Sequence, residues 1–260
     1  MLTYAERSII VGALALATFA AWFGSWLVAS GMRFSGVDPA FAAYLCTAPW
    51  SLADLAAVVL MWNAMMAAMM LPSAAPMVDA FATIAKRRRN RGDPYVPTAI
   101  FVLGYLAVWG LFSIAAALLH GALAYSGLLG QDMAIGNPWA VAGILLLAGL
   151  YQLTPLKEAC LTRCRSPSGF ILSEWREGYL GSVIMGFRHG LYCAGCCWAL
   201  MLIMFVVSAM DLRWTAAFAM YVAAEKLLPA GPRIARFSGG VAIVAALVMV
   251  LIALSGGAFH

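Results

Sequence analysis

The sequence predicts an all-α fold, a polytopic transmembrane helical bundle of about seven spans, forming one domain over residues 1–260 with a cytoplasmic N-terminus. Three observations lead there. The chain is 64% hydrophobic and 10% charged, with a mean hydropathy of +0.90, whereas a soluble domain carries roughly 25% charged residues. Apolar stretches of the roughly 20 residues needed to cross about 30 Å of hydrocarbon recur along the whole length. The Lys and Arg residues fall in alternate connections between those stretches, the pattern of loops retained on the cytoplasmic side.

The predicted spans are 8–30, 52–84, 97–120, 138–157, 179–210, 214–228 and 237–255. The first is too long for the roughly 7–15-residue core of a cleaved secretory signal, so it reads as a retained helix. The second exceeds one straight crossing. Pro72 and Pro76 each remove a helix hydrogen bond, which predicts a membrane segment ending near Leu71 and a kinked extension beyond it. The fifth is also long, and predicts either a break or an interfacial start. The longest connections are 31–51 outside and 158–178 inside.

With the N-terminus inside, all but Arg33, Arg188 and Arg213 of the 16 Lys and Arg residues lie on the inner side, and seven spans place His260 outside. The run Lys86 to Arg91 reads as a topology signal. Basic residues dispersed between spans, with no soluble domain to gather them, exclude nucleic acid as a partner and leave membrane lipid. These features predict a multi-pass protein of the bacterial inner (cytoplasmic) membrane. Six cysteines in a chain of this kind suggest free thiols or metal ligands rather than a disulfide framework.

Two segments carry the chemistry. In Met61-Trp-Asn-Ala-Met-Met-Ala-Ala-Met-Met70, Met61, Met65 and Met69 fall at i, i+4 and i+8 on one helical stripe, with Met66 and Met70 on a second beside it. Thioethers are soft, are not protonated at neutral pH, and suit Cu(I); ordinary helix packing explains a Met stripe equally well. In His189-Gly-Leu-Tyr-Cys193-Ala-Gly-Cys196-Cys197, His189, Cys193 and Cys197 again share one face, with Cys196 and Met201 near the same arc.

Imidazole and three thiols at helical spacing within lipid mark a functional site. Arg188 is the nearby cation available to a thiolate, and Asn63, Arg188 and Tyr192 are the expected surroundings. Gly186, Gly190 and Gly195 permit close helix approach. Cys193 and Cys196 also match the redox Cys-x-x-Cys spacing, so a thiol-based membrane oxidoreductase remains open, as does a structural or assembly subunit. No Cys-x-x-Cys-His is present, which disfavours haem.

On the inner side, Cys160 and Cys164 stand one turn apart and read equally as a transfer site for a metal or as a plain reduced thiol pair amid basic residues. Glu225-Lys226 reads as the inner end of the sixth span, Asp79 as interfacial or as the partner of an inner-loop Arg, Asp54 as a charge needing a partner or the interface, and His120 and His260 as residues without a special role.

The segments MWNAMMAAMMLPSAAPM at 61–77, YQLTPLKEACLTRCRSP at 151–167, HGLYCAGCCWALM at 189–201 and EKLLP at 225–229 occur in that order. Together they resemble a bacterial family of metal-binding integral membrane proteins, formerly an uncharacterised domain, that includes a membrane copper chaperone associated with a tyrosinase. The resemblance implies copper, as Cu(I), handed to a cuproenzyme recipient such as a tyrosinase-like oxidase. The chain is then a chaperone or carrier rather than an enzyme.

Overall fold

The computed structural model describes residues 2–34, 51–92, 96–130, 134–208 and 211–255. Ten helices follow one another there: α1 (Tyr4–Phe34), α2 (Leu52–Arg89), α3 (Thr98–Tyr125), α4 (Pro138–Gln152), α5 (Pro155–Arg165), α6 (Pro167–Glu174), α7 (Gly178–Leu202), α8 (Met204–Val207), α9 (Leu212–Leu227) and α10 (Gly231–Leu254). The described residues contain no β-strand.

Five segments are long and apolar enough to cross a bilayer, belonging to α1, α2, α3, α7 with α8, and α10; α4 and α5 make a sixth if that bent pair is one span. The expected sixth span, 214–228, is helical as α9. Its 16 residues rise only about 24 Å, short of the hydrocarbon thickness.

Several boundaries differ from the sequence reading. The expected span 138–157 is broken after Gln152, and α5 leaves α4 at 64°. The cause is local: the Thr154 hydroxyl accepts the Lys157 N–H at 3.2 Å and Pro155 opens a new helix, as a capping residue followed by proline dictates. The expected inner loop 158–178 is largely α5 and α6. The expected extension beyond Leu71 is helical: α2 runs through Pro72 and Pro76 to Arg89, and Met77, Val78 and Phe81 in its second half are buried. The break expected in the fifth span falls at Ile203, between α7 and α8. Most of the outer loop 31–51, with Cys46, lies outside the described residues, as does His260.

The helices pack by two means. Where α3 meets α7, and α4 meets α10, glycines let the backbones touch. A Cβ on Gly186 would collide with the Phe101 carbonyl and lie 3.1 Å from Tyr105 N, and one on Gly149 would lie 2.8 Å from the Gly239 carbonyl. Close backbone approach supplies the dispersion that holds helices together in lipid, where apolar burial gives little.

At the end of the bundle to which the sequence assigns the basic loops, ion pairs join α1 to α2. Arg7 grips Asp79 with two bonds of 2.9 and 2.5 Å, and Lys86 pairs with Glu6. Arg88 reaches Glu177 at 2.8 Å. Asp79 is therefore a partner of the N-terminal helix rather than a free interfacial carboxylate. Asp54 lies at the opposite end of α2, where it forms a capping box with Ser51.

Candidate metal centre

The soft side chains singled out in the sequence gather in one core. Met61, Met65, Met66, Met69 and Met70 from α2 are buried in the same hydrophobic cluster as Cys164 from α5 and Cys193, Cys196 and Cys197 from α7, with Met201 and Met204 continuing it. None of these thioethers points to lipid. Yet α2 and α7 are not close-packed neighbours; α3 and α9 bridge them.

The C-terminal end of the Met stripe is brought up to the thiols. The Lys226 ammonium of α9 lies 2.9 Å from Cys193 Sγ, 3.6 Å from Met70 Sδ and 3.3 Å from Ser73 Oγ, so a thiol of α7 and a thioether of α2 converge on one buried point. Further along the stripe, Met65 Sδ accepts instead from the Thr215 hydroxyl of α9 at 3.7 Å. Met61, Met66 and Met69 fill the core around Trp62, whose ring packs on Phe205.

From α3, the Tyr105 hydroxyl donates to the Met70 carbonyl at 3.2 Å and lies 3.0 Å from Cys193 Sγ. It ties the two halves of the site together. The position of Tyr105 depends on the glycine contact between α3 and α7: Gly186 abuts Phe101 and Tyr105, and Gly190 abuts Val108. Sequence spacing had marked Gly186 and Gly190 for that approach. Gly195 serves differently, leaving room for Cys160 Sγ, which would stand 3.0 Å from a Cβ there. The Tyr151 hydroxyl donates to the Gly195 carbonyl and holds α4 against the same turn.

The bend before α5 folds Cys160 and Cys164 under α7 rather than leaving them in an inner loop. The Cys164 thiol is buried in the same cluster as Cys193, Cys196 and Cys197. Cys196 and Cys197 each donate to the Cys193 carbonyl, at 3.0 and 3.1 Å. All five described cysteines are free thiols. His189, one turn before Cys193, is buried among Phe101, Tyr105 and Phe170, with ring centroids 6.1, 5.4 and 5.5 Å away. Its Nδ1 has no hydrogen-bond partner among the described residues, an uncommon condition for a buried polar atom.

The surroundings expected from sequence are not those found. Arg188 turns outward to pair with Glu174, Tyr192 packs on Phe170, and the Asn63 amide donates to Val59 O of its own helix at 3.0 Å. None of the three touches a thiol. The cation beside Cys193 is Lys226, and the hydroxyls are those of Tyr105 and Ser73. The signal for Lys226 was present in Glu225-Lys226, since a charged pair in an apolar helix needs partners. Adjacent helical residues point about 100° apart, so the two serve different neighbours, and no spacing rule names them.

Glu225 belongs to a second buried network. Its carboxylate pairs with Lys157 at 2.7 Å, both side chains being 1% exposed, and accepts from Tyr221 and from Gln152 at 3.1 Å. Gln152 also reaches the Ser238 hydroxyl at 3.1 Å. This network joins α4, α5, α9 and α10 directly beneath the sulfur cluster. His120 is buried against Phe205, 5.9 Å between centroids.

Among the described residues, no three His, Cys, Asp or Glu side chains are arranged to hold a metal ion. A donor set of three or more here would therefore have to draw on a thioether as well as on thiols. That mixture is suited to a soft monovalent ion of low coordination number and poorly suited to zinc, which takes four N, S or O ligands in structural sites.

The sequence profile of the PpoB2 copper-chaperone family matches residues 59–249, which include all four of the motif segments. No curated protein and no solved structure matches the chain.

Proposed function

This chain belongs to the PpoB2 copper-chaperone family, and we propose that it carries copper as Cu(I) on sulfur ligands inside the bilayer and supplies a cuproenzyme. One observation carries the reading: Cys193 Sγ of α7 and Met70 Sδ of α2 both approach the same buried Lys226 ammonium, at 2.9 and 3.6 Å. Two or three soft ligands suffice for Cu(I). Cys193 and Met70 are the central pair in this reading. Cys196, Cys197, Cys164 and His189 lie within the same turn or contact and give the ion alternative positions. Met61, Met65, Met66 and Met69 extend the soft lining toward the opposite membrane face, and Cys160 extends it toward the inner end. The recipient is a copper oxidase of the tyrosinase type, and the membrane is the bacterial inner membrane.

The geometry supports transfer as well as storage. Neighbouring sulfurs allow a low-coordinate ion to exchange one ligand at a time, which avoids stripping it bare in hydrocarbon. The test is elemental analysis of protein purified and loaded anaerobically, beside a Cys193→Ser/Cys196→Ser/Cys197→Ser variant. Stoichiometric copper in the wild type, lost in the variant and reduced in His189→Ala, is the expected result. Equal copper in both proteins, or a reversible Cys193–Cys196 disulfide that forms without metal while copper fails to bind, overturns the reading in favour of packing or of thiol exchange.

A further inference from the structure

A cavity of about 330 Å³ lies among α4, α7, α9 and α10, large enough for a small organic molecule. From α9, Trp214, Phe218 and Tyr221 line it on successive turns of one face, and from α10, Ser238, Ala242 and Ala245 do the same. Alanine at two of those α10 positions leaves the space that larger side chains would fill. The half-exposed wall residues Trp214 and Val241 stand on α9 and α10, so the cavity is entered from lipid between these helices. Leu200 belongs both to its wall and to the core that holds the thiols.

The apolar walls end in three polar side chains, Gln152, Tyr221 and Ser238, and the hydrogens among them do not suffice. The Gln152 side-chain nitrogen faces the Tyr221 hydroxyl at 2.8 Å, and Ser238 Oγ and Glu225 Oε1 each at 3.1 Å. A carboxylate only accepts, which fixes that amide orientation. Two amide hydrogens therefore serve three oxygens. The Tyr221 hydroxyl donates to Glu225, and the Ser238 hydroxyl donates to the Ala235 carbonyl at 2.9 Å. Gln152 is 4% exposed, and its Oε1 has no partner among the described residues. An unpaired acceptor buried in hydrocarbon is costly, so the polar end calls for an occupant that brings an O–H. We propose that this cavity is a binding site for a lipid-soluble phenol, with its ring against Trp214 and Phe218 and its hydroxyl donated to the Gln152 end. An acyl chain brings no donor, and a quinone or an ester brings only acceptors. Aromatic walls favour a ring over a plain alkyl alcohol. The proposal is separate from the copper reading and stands or falls without it.

Full-length protein in detergent is titrated with 4-(trifluoromethyl)phenol and, separately, with its methyl ether, and binding is followed by the 19F resonance against empty micelles. The two probes share a body and differ in the O–H. The phenol is expected to saturate at about tenfold lower concentration than the ether, the worth of one well-placed buried hydrogen bond. Ala242→Leu, which fills the cavity, should abolish the saturable signal. Gln152 also borders a void of about 20 Å³ beside Thr154 and Pro232, room for no more than a water; if its Oε1 is served from there, phenol and ether bind alike and the proposal is overturned. Saturation undiminished in Ala242→Leu overturns it as well. Should that variant fail to fold, the comparison of phenol with ether on the wild type still decides. Competition under anaerobic conditions with a monoprenyl benzoquinol then identifies the source. Displacement of the phenol at a lower concentration than the phenol itself needs assigns the site to a membrane quinol, and displacement only at a comparable or higher one assigns it to a free lipophilic phenol.

Discussion

Replacing Glu225 by Gln tests whether the network beneath the sulfur cluster holds the bundle together. The substitution keeps the shape and removes the charge facing Lys157, which lies 2.7 Å away with both side chains 1% exposed. An uncompensated buried ammonium costs roughly 3–5 kcal/mol, well above the typical destabilisation for a point mutant. Tyr221 loses its carboxylate acceptor at the same time. Removing the lysine as well, in Lys157→Met/Glu225→Gln, leaves no stranded charge and should recover most of the loss, a coupling on the order of 2 kcal/mol or more. Unfolding in mixed micelles, followed by the fluorescence of the 9 tryptophans, measures each protein. Because Glu225 faces away from the thiols, Glu225→Gln that remains folded should still bind Cu(I) at wild-type stoichiometry. The reasoning fails if Glu225→Gln unfolds within about 1 kcal/mol of wild type, or if the double variant is as unstable as two independent losses would make it.

Gly186→Ala should destabilise by about 1–3 kcal/mol through overpacking and reduce copper retention, because the new methyl pushes on Phe101 and Tyr105 and draws the Tyr105 hydroxyl away from Cys193; unfolding and copper content measured on one sample check both. Met70→Leu should weaken Cu(I) binding about tenfold at a stability cost below about 1.5 kcal/mol, whereas Met61→Leu should leave affinity near wild type. Chelator titration of the pair decides, and equal effects would remove the special place given to Met70.

The fold class was legible because hydrocarbon imposes a coarse code. Length, hydropathy and the placement of Lys and Arg mark helices whatever their packing. What hydropathy missed is set by local or tertiary geometry. Thr154-Pro155 is a helix start embedded in an otherwise continuous apolar stretch, so the bend to α5 was hidden by the very composition that revealed the span. Pro72 and Pro76 leave α2 a single continuous helix. Each removes a backbone bond within α2, but a lipid-embedded helix held by neighbours tolerates that loss, and α1 packs along this stretch.

Within the site, periodicity placed Met61, Met65, Met66, Met69, Met70, Cys193, Cys196 and Cys197 on faces that are indeed buried together. Tyr105 and Ser73 carried no signal, since an aromatic or a serine in an apolar helix has many ordinary uses. Arg188 was the cation adjacent in sequence, and Lys226 is the one adjacent in space.

The bend at Thr154 also gives the site its direction. Continued along the axis of α4, the 11 residues of α5 would extend about 16 Å further, carrying Cys160 and Cys164 away from α7. Turned by 64°, α5 lays them against it in order of burial: Cys160 half-buried over Gly195, Cys164 buried in the cluster that holds Cys193 and Cys196, and Cys193 beside Lys226. Under the proposed copper reading, an ion moving along that series meets sulfur at each step. Straightening the bend, for example by Pro155→Ala with Thr154→Ala, should therefore slow copper exchange with an external chelator while leaving Cys193 and Met70 in place. Exchange as fast as wild type from such a variant, with copper still bound, would show that the ion reaches the centre by another route.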